Sequence, residues 1–217
     1  MNLANHTPKN YLREILAVSG GLLLIATSPA FAHHAMGGMT PQTFSQGLLS
    51  GLAHPIIGLD HFAFLVAAMV LTSMLKGVAR FLVPLAFVGA TIAGTVLHLG
   101  AANIPMSETL VALSVVLGGV LALTRRYSGA LMLSAIFAVS GVLHGYAYGE
   151  SIVGAETTPL LAYLAGFAAI QYALIIVGTL GLDKLANRSE KTGLIATRIG
   201  GAAALLTGGV FLALGFV

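Results

Sequence analysis

The sequence predicts an all-α integral membrane protein, a bundle of six transmembrane helices that follows a cleavable signal peptide. Of its 217 residues, 57% are hydrophobic and only 8% are charged. A soluble domain carries about 25% charged residues, so this composition does not supply a water-exposed surface. The apolar residues also form six separate segments, each near the length of a membrane-crossing helix.

Residues 1–32 have the organisation of a secretory signal peptide. Lys9 and Arg13 form its positive region, a short apolar stretch follows, and Ala30-Phe31-Ala32 is a small-residue cleavage site. The apolar stretch is about a dozen residues long, whereas a membrane span needs roughly 20. Cleavage after Ala32 leaves a single domain over 33–217. An uncleaved first helix is the alternative.

Six apolar segments follow the signal peptide, separated by residues that favour loops. Each is predicted to cross the membrane as a helix, because a helix satisfies its own backbone hydrogen bonds in lipid. The residues that remain are too few for a soluble domain. The predicted spans are 46–75, 79–99, 106–124, 128–148, 158–181 and 194–216.

The basic residues predict the orientation. After the signal region they lie only in the loops that follow the first, third and fifth spans. The positive-inside rule makes those loops cytoplasmic, which places both mature termini outside the plasma (inner) membrane. Asp183 and Glu190 then belong to a solvated cytoplasmic loop. The basic residues are Lys76, Arg80, Arg125, Arg126, Lys184, Arg188, Lys191 and Arg198.

Composition also excludes several function classes. The formal net charge of +3 is spread over short loops, so it does not form a nucleic-acid footprint. The chain has no cysteine, which excludes disulfides, iron–sulfur clusters and thiolate metal sites. It also has no Gly-x-x-x-x-Gly-Lys-Ser/Thr loop, so this chain does not hydrolyse ATP.

The first candidate motif runs from His54 to Asp60 and His61 within the first span. An ionisable residue in a membrane span is costly and indicates function, and imidazole and carboxylate are both ligands of divalent metals. On a regular helix the two histidines stand roughly 10 Å apart, too far for one ion. Pro55 and Gly58 favour a break that brings the groups together. In the alternative, His54 caps a helix end and pairs with Asp60.

The second motif lies at the outer end of the fourth span. His144 and Tyr148 are four residues apart and share a helix face, and Glu150 follows a glycine. The alternative is an interfacial aromatic belt that includes Tyr146 and Tyr148. Further candidate ligands are His98 and Glu108, which flank the loop between the second and third spans, and His33 at the new terminus. Glu108 is equally explained as a first-turn acid that the helix dipole favours.

The order of these motifs resembles the HupE/UreJ family, with His-Pro-x-x-Gly-x-Asp-His in the first helix and His-Gly-x-Ala in the fourth. The resemblance implies a nickel permease, or a cobalt permease in some members, associated with hydrogenase and urease gene clusters. It makes His54, Asp60 and His61 the essential first-helix residues and His144 the start of the second motif. The family pattern has a second His where Tyr148 stands and a Glu one position after Glu150. With one imidazole fewer, the ligand set is harder in the chemical sense, and cobalt(II) becomes an alternative to nickel.

The predicted function is therefore secondary uptake of Ni²⁺ or Co²⁺, with the ion as cargo, no prosthetic group and no enzymatic reaction. Membrane potential, proton exchange or trapping by an intracellular metallochaperone are the driving forces left open. One alternative is a haem-binding or structural subunit, with axial ligands from His54, His98 or His144. Another is an intramembrane metal-dependent hydrolase with Glu150 as its general base. The predicted metal-site residues are His54, Asp60, His61, His144, Glu150, His98, Glu108 and His33.

Overall fold

The structure is a computed structural model that describes residues 39–126 and 129–215. Within these residues every regular element is helical, which confirms the all-α prediction. The predicted signal peptide and His33 lie outside the described residues. The helices are α1 (Phe44–Ile57), α2 (Leu59–Ser73), α3 (Ala79–Leu99), α4 (Ser107–Thr124), α5 (Gly129–Gly149), α6 (Thr157–Arg188) and α7 (Glu190–Leu214), with a 3₁₀ turn at Glu150–Ile152 between α5 and α6.

Five of the described helices, α3 to α7, are long and apolar enough to cross a membrane. The pair α1 and α2 passes the same test only when its members are taken together, and they are bent by 74°. The protein is therefore a multi-pass membrane protein, and its described residues contain five regular candidate spans and one bent helix pair.

The segment predicted as a single span over 46–75 contains two helices, because the chain breaks at Gly58. Thr43 caps the start of α1 in a reciprocal capping box with Gln46. Pro55 lies in the last turn and has no N–H to give to the carbonyl of Gly51. Gly58 then adopts an extended conformation, φ −71° and ψ 105°, and α2 starts in a new direction. The break occurs where the sequence motif predicts it.

The prediction of a loop between the last two spans is wrong. Helix α6 continues to Arg188 and α7 begins at Glu190, with only Ser189 between them. The segment that follows the apolar run contains good helix formers and no proline or glycine, so the helix extends beyond the apolar stretch. Asp183 lies on α6 and forms an ion pair with Arg80 at 2.7 Å rather than sitting free in a loop.

The helices pack closely in pairs, α1 with α6, α3 with α5 and α4 with α7. Glycines permit this approach: a β-carbon on Gly145 would collide with the backbone of Thr91 on α3, and one on Gly51 with the carbonyl of Tyr163 on α6. Helix α2 lies at the centre of the bundle, since ten of its 15 residues are buried. Its N-terminus, at the Gly58 break, is therefore enclosed by the other helices.

Candidate metal centre

Three histidines and one aspartate are buried together at the break between α1 and α2. His54 is 2% exposed, Asp60 and His61 are each 1% exposed, and His144 on α5 is fully buried. The 74° bend brings the rings of His54 and His61 to a centroid separation of 5.8 Å, about half the spacing of an unbroken helix. The break thus gathers the first motif as its sequence predicts.

His61 and His144 are in direct contact. Their Nδ1 atoms lie 2.7 Å apart and their ring centroids 4.9 Å apart. The other ring nitrogen of His144, Nε2, lies 2.9 Å from the hydroxyl of Ser114 on α4. The second motif therefore joins the first through this histidine pair. Ser114 on α4 contacts the pair on the far side of the His144 ring.

His54 takes part in a compact set of hydrogen bonds at the end of α1. Its Nδ1 lies 3.0 Å from the Ser151 hydroxyl and 3.1 Å from the Tyr163 hydroxyl. These two hydroxyls lie 3.0 Å from each other, and each lies 3.0 Å from the carbonyl oxygen of Tyr148. Because Ser151 is in the 3₁₀ turn and Tyr163 is on α6, two further elements fix the orientation of this imidazole.

Tyr148 fills the space between the histidines. Its ring centroid lies 4.9 Å from that of His54 and 4.4 Å from that of His61, and the side chain is fully buried. The alternative of an interfacial belt position for Tyr148 is therefore wrong. Its hydroxyl has no hydrogen-bond partner among the described residues, which is costly for a buried polar group. An oxygen donor is thus buried at the site without a protein partner.

Asp60 brings a carboxylate to the N-terminal turn of α2. Its Oδ1 accepts a hydrogen bond of 2.8 Å from the backbone N–H of His61. A helix N-terminus favours negative charge, which offsets part of the cost of burying a carboxylate in a membrane protein. The centre therefore combines three imidazoles with one acidic group.

Phenylalanine rings enclose the site on the side further along α2. Phe64 lies 4.7 Å from His144 between ring centroids, and Phe87 lies 5.7 Å from it. These two rings are stacked at 4.8 Å, with Phe137 at 6.0 Å from Phe64. The polar cluster thus borders an apolar core, which keeps water away and strengthens its electrostatics.

A comparison with known proteins identifies the family. The HupE/UreJ protein family model matches residues 21–211, which is most of the chain. This chain belongs to the HupE/UreJ family. Protein HupE of Rhizobium leguminosarum bv. viciae is 32% identical over 184 residues, covering 85% of this chain and 91% of that protein. No solved structure matches the chain.

Among the described residues, the other predicted ligands of this HupE/UreJ chain lie outside the buried cluster. The ring of His98 packs on Tyr146, at 4.6 Å between centroids. Glu108 is exposed in the first turn of α4, and Glu150 is exposed at the start of the 3₁₀ turn. Across residues 39–126 and 129–215, no three His, Asp or Glu side chains are already arranged to hold one ion.

Sequence reasoning missed three side chains that contact the clustered histidines. Ser114, Ser151 and Tyr163 are all buried, and each places a hydroxyl at hydrogen-bond distance from an imidazole. The available signal is a polar side chain inside an apolar span, as at Ser114 and Tyr163. Which of these faces the site depends on the rotation of α4 and α6 about their axes, and the sequence does not give it.

Proposed function

We propose that this protein is a secondary transporter that takes up Ni²⁺ or Co²⁺ from outside the cell through the centre at the α1–α2 break. The observation that carries the proposal is the convergence of His54, His61 and His144 in one buried cluster, with the buried Asp60 carboxylate bonded to the backbone N–H of His61. Buried ionisable groups in a membrane protein mark substrate pathways, and broken helices are typical of transporter binding sites.

The chemistry of the cluster favours a borderline transition-metal ion. Imidazole suits nickel and cobalt, the carboxylate contributes negative charge, and the chain offers no thiolate to select a softer ion. The buried hydroxyl of Tyr148 adds an oxygen where the family pattern has an imidazole. Because oxygen is a harder ligand than imidazole nitrogen, this replacement supports cobalt alongside nickel as the cargo.

The orientation proposed from the basic residues places the centre in the outer half of the bundle, in the inner membrane, with both mature termini outside. On that side Glu108, Glu150 and Glu156 are exposed, and we propose that they attract the hydrated cation. His98, in the last turn of α3, and His33, at the mature terminus, join them as capture groups before the ion enters the cluster.

The arrangement of the cluster supports weak, reversible binding. His61 and His144 are bonded to each other through Nδ1, so an ion that binds both must take the place of that hydrogen bond. Transport requires a site that is strong enough to admit the ion and weak enough to release it. A site whose histidines already bond to each other binds the ion less tightly than a preformed metal site, and so meets this requirement better.

The geometry of the cluster gives less support to the two alternative functions, a metal-dependent hydrolase and a haem-binding subunit. A hydrolase needs a general base beside its metal, yet Glu150, the predicted base, is exposed at the surface of the turn. Haem ligation requires a flat cavity at an axial histidine. His54 instead packs edge-on against Tyr148 and Tyr163, and His144 packs against two phenylalanines.

Uptake of radiolabelled nickel and cobalt tests the proposal directly. Cells that express His54→Ala, Asp60→Ala or His61→Ala at the level of the unmodified protein are expected to lose metal-dependent uptake. Tyr172→Phe is a matched control, because its hydroxyl bonds to the Phe81 carbonyl away from the cluster. Unchanged uptake in all three site variants would exclude this function.

A further inference from the structure

The Ser114 hydroxyl contacts the Val111 carbonyl and His144 Nε2, and the shorter contact, to Val111, favours one tautomer of His144. The Ser114 hydroxyl donates to the carbonyl of Val111 at 2.7 Å, and a hydroxyl has one proton to give. Its oxygen can then only accept from His144 Nε2, at 2.9 Å. A neutral imidazole has a single N–H, so Nδ1 of His144 keeps its lone pair. That lone pair is directed at His61, whose Nδ1 lies 2.7 Å away.

The protons available from neighbouring hydroxyls can be counted in the same way for His54. The hydroxyls of Ser151 and Tyr163 each donate to the carbonyl oxygen of Tyr148 at 3.0 Å, which uses both of their protons. Both oxygens also lie within 3.1 Å of His54 Nδ1, and when their protons are directed to that carbonyl the nitrogen is the donor. With Nδ1 protonated, the lone pair of His54 is on Nε2.

We propose that Ser114, Ser151 and Tyr163 are positioning residues of the metal centre, which fix the tautomers of His144 and His54. The lone pairs on Nδ1 of His144, now shared with His61, and on Nε2 of His54 are those that we assign to the transported cation. Histidine ligands in proteins usually donate their second N–H to a neighbouring acceptor, which orients the ring and makes the ligand more basic. Here serine and tyrosine hydroxyls are those acceptors. This inference rests on the proposed function, which supplies the ion.

The chain offers a matched control for each positioning residue. Ser140 on α5 is buried and lines the same groove of about 390 Å³ between α4 and α5 as Ser114, so Ser140→Ala removes a comparable hydroxyl. Tyr172 is on α6 with Tyr163, and its hydroxyl bonds to the carbonyl of Phe81 instead. The pairs Ser114→Ala with Ser140→Ala, and Tyr163→Phe with Tyr172→Phe, therefore differ chiefly in contact with an imidazole.

The test combines metal titration with spectroscopy on the purified full-length protein. Titration with Ni²⁺ and Co²⁺ is expected to show affinities about 10–100-fold weaker for Ser114→Ala and Tyr163→Phe, as for other outer-shell partners of ligating histidines. Ser140→Ala and Tyr172→Phe should bind as the unmodified protein does. Ser114→Thr, which keeps the hydroxyl, should recover affinity that Ser114→Ala loses.

Nitrogen-15 spectra of histidine-labelled, metal-free protein measure the tautomers themselves. The expected result is N–H at Nε2 of His144 and at Nδ1 of His54, with mixed tautomers after Ser114→Ala or Tyr163→Phe. The opposite tautomers, or equal losses of affinity in the variants and their controls, would overturn the inference. If the unmodified protein binds neither metal, the proposed function fails, and with it the role in binding; the spectra still decide the proton positions separately.

Discussion

The Nδ1 atoms of His61 and His144 lie 2.7 Å apart, although 83 residues separate them in the chain. This contact joins the two halves of the site: His61 lies in the first turn of the central helix α2, and His144 lies near the C-terminal end of α5. Neither residue has more than 1% of its surface exposed. The pair therefore links the helix break to the rest of the bundle.

Asp60 is expected to supply the negative charge of the site without being needed for the fold. Asp60→Asn keeps an oxygen that accepts from the His61 N–H, so the variant should unfold at nearly the same temperature. Its affinity for Ni²⁺ and Co²⁺ should fall by more than about tenfold, or ~1.4 kcal/mol. Calorimetric titration and thermal unfolding of the purified protein measure both quantities.

Asp183→Asn provides the control for this charge. Asp183 pairs with Arg80 where both side chains are partly exposed, and such pairs contribute only about 0–1 kcal/mol. The variant should bind metal normally. If Asp183→Asn and Asp60→Asn weakened binding equally, the effect would be one of overall charge rather than of the buried carboxylate.

Gly58 is expected to be required for the space it leaves beside His61. Its backbone angles are open to any residue, but a β-carbon there would lie 2.7 Å from Cδ2 of the His61 ring. Gly58→Ala should displace that ring and lower metal affinity while the helix break persists. Metal titration measures the affinity, and nitrogen-15 signals of His61 and His144 report the displacement of the ring. An alanine variant with unchanged affinity would show that the His61 position is not critical.

Gly94 and Gly89, on the same helix α3, should respond oppositely to alanine. A β-carbon on Gly94 would collide with the backbone of Val142 on α5, so Gly94→Ala should destabilise the protein by about 1–3 kcal/mol. A β-carbon on Gly89 meets nothing within 4 Å, and alanine favours the helix by up to about 1 kcal/mol. Unfolding midpoints in one detergent compare the two. Equal destabilisation would contradict the close packing of α3 on α5.

The absence of cysteine makes the proposed orientation directly measurable. Glu150 and Lys184 are both exposed, at opposite ends of the long path through α6. A membrane-impermeant maleimide should label Glu150→Cys in intact spheroplasts but label Lys184→Cys only after lysis. The reverse pattern would place the metal centre on the cytoplasmic side and turn uptake into export.

Composition was sufficient to predict the fold class, because a chain with so few charged residues buries its helices in lipid. Pro55 and Gly58 also located the break, since the backbone reasons for it are local. The end of α6 was mispredicted, because this helix continues beyond its apolar residues to Arg188. Hydropathy predicts the length that crosses the membrane, not the length of the helix.

The candidate site was predictable only in part. His54, Asp60, His61 and His144 were identified by residue type and by likeness to the family. The structure brings the three histidines together and buries Asp60 beside His61. Glu150 shares a motif with His144 yet lies exposed at the start of the 3₁₀ turn. Whether a side chain faces the cluster depends on the register and rotation of packed helices, which no local pattern specifies. The hydroxyls of Ser114, Ser151 and Tyr163 were missed for the same reason.

X-ray absorption of the Co²⁺-loaded protein tests the central claim most directly, because it counts the imidazoles bound to the ion. Imidazoles from both motifs should contribute, so His144→Ala and His61→Ala should each reduce the imidazole scattering by one ligand, whereas His98→Ala should leave it unchanged. A spectrum without imidazole, or one that neither cluster variant alters, would contradict a shared metal centre at the α1–α2 break.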